Sequence, residues 1–265
     1  MFVCAGLFLG CRATRQPESV ALGTGFRLLS YNVNWGGVGA DQVADVIRNF
    51  DADVLCLQET TPQWEKYLRN QLAAEFPFVA FGESEGRMGG GLAFLSKVPA
   101  REVAYIRSDT SWFDGWIVQF ETQLGPVQVL NVHLRPPVSD RGGWISGYLG
   151  TRDDRLREME RFYKHIKPNI PLIVAGDFND SENSQVVNWL QYRGLTNALP
   201  QFDPGSPTWR WKYRGIKLNR RMDHIMYSPE LYCANSEVIL RGPSDHFPVV
   251  ATFRNKELGR KPETR

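Results

Sequence analysis

The sequence predicts an α/β sandwich, two sheets packed together with helices on their outer faces. Three observations carry this. Helix-period and strand-period segments mix throughout residues 26–254. Short strand-like runs follow one another between Gly91 and Leu134 in hairpin fashion, which argues against a purely parallel sheet. No repeat, long linker or low-complexity block divides the stretch, so it reads as one domain, and 265 residues suffice for a large core.

Taken in order, "FRLLSYNV" is a strand, and "DQVADVIRNF" places Val43, Val46, Ile47 and Phe50 on one face of a helix. "DVLCLQE" is a buried strand. "PQWEKYLRNQL" has Pro62 at a helix start, with Trp64, Tyr67, Leu68 and Leu72 on one side. "GGLAFLSK", "WIVQFE" and "VQVLNVHL" are strands. "DDRLREMERFYKHI" is a helix with Leu156, Met159, Tyr163 and Ile166 inward. "PLIVAGD" is a buried strand, "SENSQVVNWLQYR" a helix, and "RMDHIMYS" and "FPVVATF" are closing strands.

Bulk composition excludes little. A formal charge of +2 is too mild to argue for a nucleic-acid partner by itself. Four cysteines are too few for a disulfide scaffold, and Cys56 and Cys233 read as buried thiols. Residues 1–10 are uncharged and mostly apolar, a run too short to span a bilayer. "FLGC" is similar to a bacterial lipoprotein signal, which makes Cys11 the expected lipidated residue of an exported, membrane-anchored protein. The alternative is a disordered start on a cytoplasmic protein. Residues 1–25 are therefore read as signal and tether, 26–254 as the domain, and 255–265 as a solvated tail.

The strands end in polar residues of a restricted kind: Asn32 and Asn34, Gln58 and Glu59, His133, Asp177 and Asn179, and Asp223 and His224, with Asp245 and His246 just before the last strand. Each alone has a structural explanation, since Asp and Asn cap turns and a lone histidine is more often a satisfied one. In strand geometry Asp177 and Asn179 point the same way and reach one ligand together; in a turn they do not. Strand ends of α/β proteins gather in one crevice, and so many carboxylate, carboxamide and imidazole groups there point to a site. Oxygen donors without cysteine favour a hard cation, Mg²⁺, with Mn²⁺ or Ca²⁺ as alternatives. With histidines left for proton transfer, the set suits attack of water on a phosphate ester. No Walker-type glycine loop is present, which disfavours triphosphate hydrolysis of that kind.

In this order, "SYNVN", "LCLQE", "NVHL", "AGDFN", "RMDHI" and "SDHFPV" resemble the endonuclease/exonuclease/phosphatase superfamily over nearly all of residues 26–254. The resemblance implies a four-layer α/β/β/α sandwich with two mixed sheets packed face to face. It implies Glu59 as the principal metal carboxylate, Asn32 beside it and Asp245 completing the metal environment. It implies His246 as the catalytic histidine oriented by Asp223, Asp177 and Asn179 on the attacking water and a phosphate oxygen, and His133 as a second imidazole. Asn34 stands where several relatives carry an acid, and its role is left open; His224 is read as structural.

His133 is shared with deoxyribonuclease-, sphingomyelinase- and phosphatase-like members and disfavours an apurinic-site enzyme. "TWRWKYR" alternates aromatic and basic residues, followed by Lys217, Arg220 and Arg221; it is either core with a solvated face or a phosphate-binding edge for nucleic acid or an anionic lipid headgroup. Trp144 and Tyr148, in the excursion 139–154, either contact substrate or pack the loop down. The expected function is metal-dependent, nuclease-like hydrolysis of phosphodiester bonds by a monomer. A sphingomyelinase-like enzyme or inositol-phosphate phosphatase is the alternative, and an inactive anchored binding module a further one.

Overall fold

The computed structural model describes residues 14–17, 25–37, 39–82, 89–108, 112–137, 150–213 and 215–256. Cys11, Trp144, Tyr148 and the tail from residue 257 lie outside them. One mixed sheet holds β1 (Phe26–Asn32), β2 (Val54–Thr60), β3 (Phe78–Phe81), β4 (Gly91–Ser96), β13 (Leu231–Val238) and β14 (Val249–Asn255), in the order β13-β14-β1-β2-β4-β3. The second holds β5 (Ala100–Ile106), β6 (Gly115–Thr122), β7 (Gly125–His133), β8 (Leu172–Asp177), β9 (Thr196–Asn197) and β12 (Asp223–Tyr227), in the order β5-β6-β7-β8-β12-β9. A separate hairpin pairs β10 (Trp209–Tyr213) with β11 (Ile216–Arg220). The helices are α1 (Ala40–Asn49), α2 (Pro62–Leu72), α3 (Arg152–Tyr163), α4 (Gln185–Tyr192) and α5 (Leu199–Phe202). Four-residue β3, two-residue β9, and β5 and β13 carry weaker alternation than the strands legible in sequence.

Side-chain alternation builds the layers. Leu28, Cys56, Val129 and Ile173 face a core shared by the two sheets. Their neighbours Leu29, Leu55 and Leu57 pack outward with Val43, Ile47, Trp64 and Leu68 of α1 and α2. On the other side Leu130 and Val174 pack with Met159, Phe162, Val187 and Leu190 of α3 and α4. The order is helix, sheet, sheet, helix. Cys56 and Cys233 are buried free thiols, as expected.

One helix is turned from its expected face. α3 buries Arg155, Glu158, Met159 and Phe162, while Leu156, Tyr163 and Ile166 are only partly covered. Burial of Arg155 is possible because Asp180 accepts from its Nε at 3.0 Å and the Thr151 hydroxyl from its Nη1 at 2.6 Å.

Each sheet has one parallel pair, β1/β2 and β7/β8, and their C-terminal ends lie at the same end of the sandwich. β8 approaches β7 closely at Gly176, whose φ is +143° and where a Cβ would lie 1.9 Å from the Val132 carbonyl oxygen. Gly176→Ala is therefore expected to cost about 3 kcal/mol or more in urea unfolding, through backbone strain next to Asp177.

Candidate active site

The site is the polar end of the layer between the sheets. Following alternate residues toward the strand ends, Leu28 gives way to Ser30 and Asn32, Cys56 to Gln58, Val129 to Asn131 and His133, Ala175 to Asp177, and Ile225 to Asp223; the apolar members lie in the shared core and the polar ones are buried. Register sets His133 opposite Asp177 and Asp223 opposite Asp177. The two sheets meet through Asn32, whose Nδ2 donates to Asp177 Oδ2 (3.1 Å) and to Glu59 Oε1 (3.0 Å).

Glu59 does not belong to the inward row. It is skipped in the β2–β4 ladder, which shifts register between Gln58 and Thr60, and its φ is +59°. This bulge re-aims its side chain toward Asn32. Gly91 makes the bulge possible, since a Cβ there would lie 1.9 Å from the Thr60 carbonyl oxygen. The backbone N–H of Trp35 donates to Glu59 Oε2 (3.0 Å), so both carboxylate oxygens receive neutral donors. Burial pushes the Glu59 carboxyl above its ordinary range. Asn34, at φ +62°, donates through Nδ2 to Asp245 Oδ1 (2.8 Å). It ties the loop after β1 to the loop before β14, the role that sequence left open.

Asp177 sits between two imidazoles. His133 Nε2 and His246 Nε2 lie 3.5 and 3.6 Å from its Oδ2. Burial opposes protonation of His246, but the Asp223 and Asp177 carboxylates outweigh it and push the imidazole up to about 10. Asp223 faces His246 Nδ1 with both oxygens, at 3.1 and 3.0 Å. His133 goes the other way: burial, opposed by Asp177, lowers it to about 4, and its ring stacks on Phe113 at 3.8 Å between centroids. Burial also raises the Asp177 carboxyl. One imidazole is thus held as a cation and the other neutral.

The turn reading of Asn179 holds, not the strand reading. At φ +50° it folds back: its N–H donates to Asp177 Oδ1 (2.8 Å), and its Nδ2 donates to the Leu134 carbonyl (2.9 Å). All eight residues picked from sequence, Asn32, Glu59, His133, Asp177, Asn179, Asp223, Asp245 and His246, gather here. His224 is structural, between Asn197 Nδ2 (3.1 Å) and the Asp180 carbonyl (2.9 Å).

Sequence reading missed the supports. Gln58 Nε2 donates to Asn131 Oδ1 (2.7 Å) across the sheets, below the site. The Ser244 hydroxyl donates to the Asn32 carbonyl (2.8 Å), and Thr208 Oγ1 accepts from the N–H of Met222 (2.9 Å) and Asp223 (3.0 Å). The buried Arg155–Asp180 pair braces the loop after Asp177. Ser244, inside "SDHFPV", carried a usable signal; Thr208 and Arg155 carried none.

Two groups here are able to meet a cation. Asp177, Asp223 and His246 offer ligand atoms within 4.8 Å of one another, but Asp223 is already spent on His246 Nδ1. Glu59 and Asp245 are hard oxygen donors held by amides, with no hydrogen bond from a cationic side chain among the described residues. They fit a hard divalent cation.

Two stability experiments test this wiring. His224 is lowered to about 4, first by burial, so in the window from pH 4 to its unfolded value of 6.5 the unfolded chain binds the extra proton. Stability is expected to rise with pH across that window, so that up to about 3 kcal/mol from this group is lost as the pH falls from 6.5 to 4, and His224→Gln flattens the slope in urea titrations at pH 4.5 and 7. Asp180→Ala removes the carboxylate paired with the buried Arg155 guanidinium and is expected to cost about 3–5 kcal/mol.

The comparisons agree with this architecture. The sequence model described as the Endonuclease/Exonuclease/phosphatase family matches residues 29–246. An inositol phosphosphingolipids phospholipase C of Saccharomyces cerevisiae is 30% identical over 176 residues, 59% of this chain but 36% of that protein, so the chain spans about a third of its length. Among solved structures, an endonuclease/exonuclease/phosphatase from Beutenbergia cavernae superposes with a TM-score of 0.69 at 22% identity, over 88% of this chain and 72% of that one. D. rerio TDP2, solved with a single-strand DNA product, superposes with a TM-score of 0.68 at 18% identity, over 87% and 99%. At those identities the likeness shows the fold, and with the family match it places the chain: it belongs to the endonuclease/exonuclease/phosphatase family.

Proposed function

We propose that this protein is a divalent-metal-dependent phosphodiesterase and that its substrate is the phosphodiester of a lipid headgroup. The observation that carries the chemistry is Asp177 between a cationic His246 and a neutral His133, joined through Asn32 to Glu59. The lipid assignment is supported by the yeast phospholipase C, the sequence relative at 30% identity. Nuclease action, which leads the reading of the bare sequence, becomes the second reading. The basic-aromatic hairpin and the fold shared with DNA-bound TDP2 favour it. A lipid anchor at Cys11 would hold the enzyme at a membrane surface.

Glu59 and Asp245, with Asn32 beside them, would hold the cation: Mg²⁺, with Mn²⁺ or Ca²⁺ as alternatives. The chemistry supplied there is neutralisation of charge on a phosphoryl oxygen. Asp177 orients the attacking water and takes its proton, its raised carboxyl matching that task. His246 presents Nε2–H to the phosphoryl oxygens as charge builds, and Asp223 fixes the tautomer and ring plane through Nδ1. His133 faces the same centre as a neutral donor or acceptor. Asn179 acts on Asp177 and not on substrate, since its amide is committed to Leu134.

Hydrolysis of bis-p-nitrophenyl phosphate tests the chemistry. Mg²⁺ is expected to support turnover and EDTA to abolish it, while His246→Ala and Glu59→Ala each lower kcat/KM by roughly 10²–10⁴ with the fold intact. Turnover surviving both variants overturns the assignment. Cleavage of supercoiled plasmid in preference to lipid vesicles makes the second reading the correct one.

A further inference from the structure

The two imidazoles of the site are held in different ways. His246 is oriented as functional imidazoles usually are, through the nitrogen that faces away from the reaction: Asp223 meets its Nδ1 at 3.0 and 3.1 Å. His133 has no such partner. Its Nδ1 is buried and unpaired among the described residues, and its Nε2 lies 3.5 Å from Asp177 Oδ2, too far to lock the ring. The Gly89 backbone lies near the imidazole without completing a hydrogen bond to Nδ1.

A ring takes the place of the missing hydrogen bond. Phe113 lies face to face with the imidazole, 3.8 Å between centroids and 14° between planes. The sheet brings it there: Gly115 opens β6 opposite Val132, so the chain entering β6 passes beside His133 at the end of β7. Asp114, itself buried, accepts the backbone N–H of Ser108 (2.8 Å) and closes the loop that carries Phe113. Trp112 packs edge-on against Phe113 at 5.8 Å, and the Arg135 guanidinium lies over the Trp112 ring at 5.3 Å. Arg135 is held in turn by α3, its N–H donating to Glu158 Oε2 (2.8 Å) and its Nη1 to Asp154 Oδ2 (2.5 Å). A continuous stack thus runs from α3 to His133.

Stacking fixes the plane of the imidazole, and Asp177 selects which edge is presented. A proton on Nε2 faces that carboxylate and leaves Nδ1 a bare acceptor. A buried acceptor without a donor is tolerated better than a buried N–H without an acceptor.

We propose that Phe113 is the positioning residue for His133: by stacking on the imidazole it fixes the ring plane, so that Nε2–H points at Asp177 and the reacting phosphate. The inference rests on the proposed phosphodiesterase chemistry, in which His133 takes part, and it adds what orients that histidine. Phe113 does not touch substrate; it acts through His133.

Hydrolysis of bis-p-nitrophenyl phosphate by the full chain with Mg²⁺ tests this. Phe113→Leu keeps an apolar side chain and removes the ring face. It is expected to lower kcat roughly 10- to 10²-fold while KM stays within about twofold. Phe113→Met, a second way of removing the ring, is expected to do the same. On a His133→Ala background neither change is expected to lower kcat further, because the group being positioned is gone. Nitrogen-15 NMR of the four histidines supplies a readout that packing alone does not move. His133 of the wild type is expected as one tautomer, protonated at Nε2, and as exchanging tautomers in both variants, with His246 unchanged. Full kcat in Phe113→Leu, an equal loss on the His133→Ala background, or an unchanged His133 tautomer in the variants overturns the proposal. So does a wild type with mixed tautomers or with Nδ1 protonated, a result that needs no variant to fold. If His133→Ala itself keeps full kcat, the part given to His133 in the chemistry fails; the NMR then decides Phe113 alone, and an unchanged tautomer overturns it.

Discussion

Hydrogen bonds between the sheets hold this site together. Asn32 reaches Asp177 across 145 residues of chain, and Gln58 reaches Asn131 across 73. Most of the inter-sheet layer is apolar and non-directional, so hydrophobic packing brings the sheets together without fixing their relative register. The buried amides add direction. An unmade hydrogen bond there leaves a desolvated polar group, at a cost of about 1–3 kcal/mol, so sliding one sheet over the other is penalised where the polar groups of the candidate site meet. Asn131 strengthens the latch by donating to the carbonyls of Leu57 and Ala93 on the opposite sheet.

The same end of the molecule collects backbone strain and buried charge. Asn34, Glu59 and Asn179 have positive φ, and each uses it to turn a side chain or an N–H onto a partner in the site. Such conformations persist only where surroundings over-determine them. Charge follows the same logic. Several carboxyl groups share a water-poor space with one imidazolium, and the field of Asp223 and Asp177 keeps the proton on His246. His133, with Phe113 stacked on it and one carboxylate near it, stays neutral. Two histidines from one sequence thereby acquire opposite electrostatic characters through their surroundings alone.

Around this centre the fold assigns support to elements of little apparent importance. The hairpin braces Asp245 and His246 through backbone bonds while presenting Trp211 and Lys217 outward. Its register puts Trp209 and Trp211 on one face with Leu218 and Arg220, and Arg210 on the other with Lys217 and Asn219, so the alternation of "TWRWKYR" holds along β10 while Arg220 of β11 joins the aromatic face. Helix α3 gives up part of an apolar face to bury Arg155 against Asp180 behind the Asp177 loop.

Mixed helix- and strand-period segments and the hairpin-like runs let the sequence alone determine the sandwich, and the polar residues that end its strands marked where the site lies. Leu28–Ser30–Asn32 and Ile173–Ala175–Asp177 are legible because side chains on one face recur every second residue. Three things were decided only in three dimensions. Glu59 lies off that row and reaches the site through a bulge that Gly91 permits, a relation between two strands. Asn179 turns back onto Asp177 because its backbone is left-handed, which composition allows but does not require. Arg155 is buried because Asp180, 25 residues away, meets it. Local pattern determines which residues face a core; pairings between distant segments determine what a polar residue finds when it arrives there.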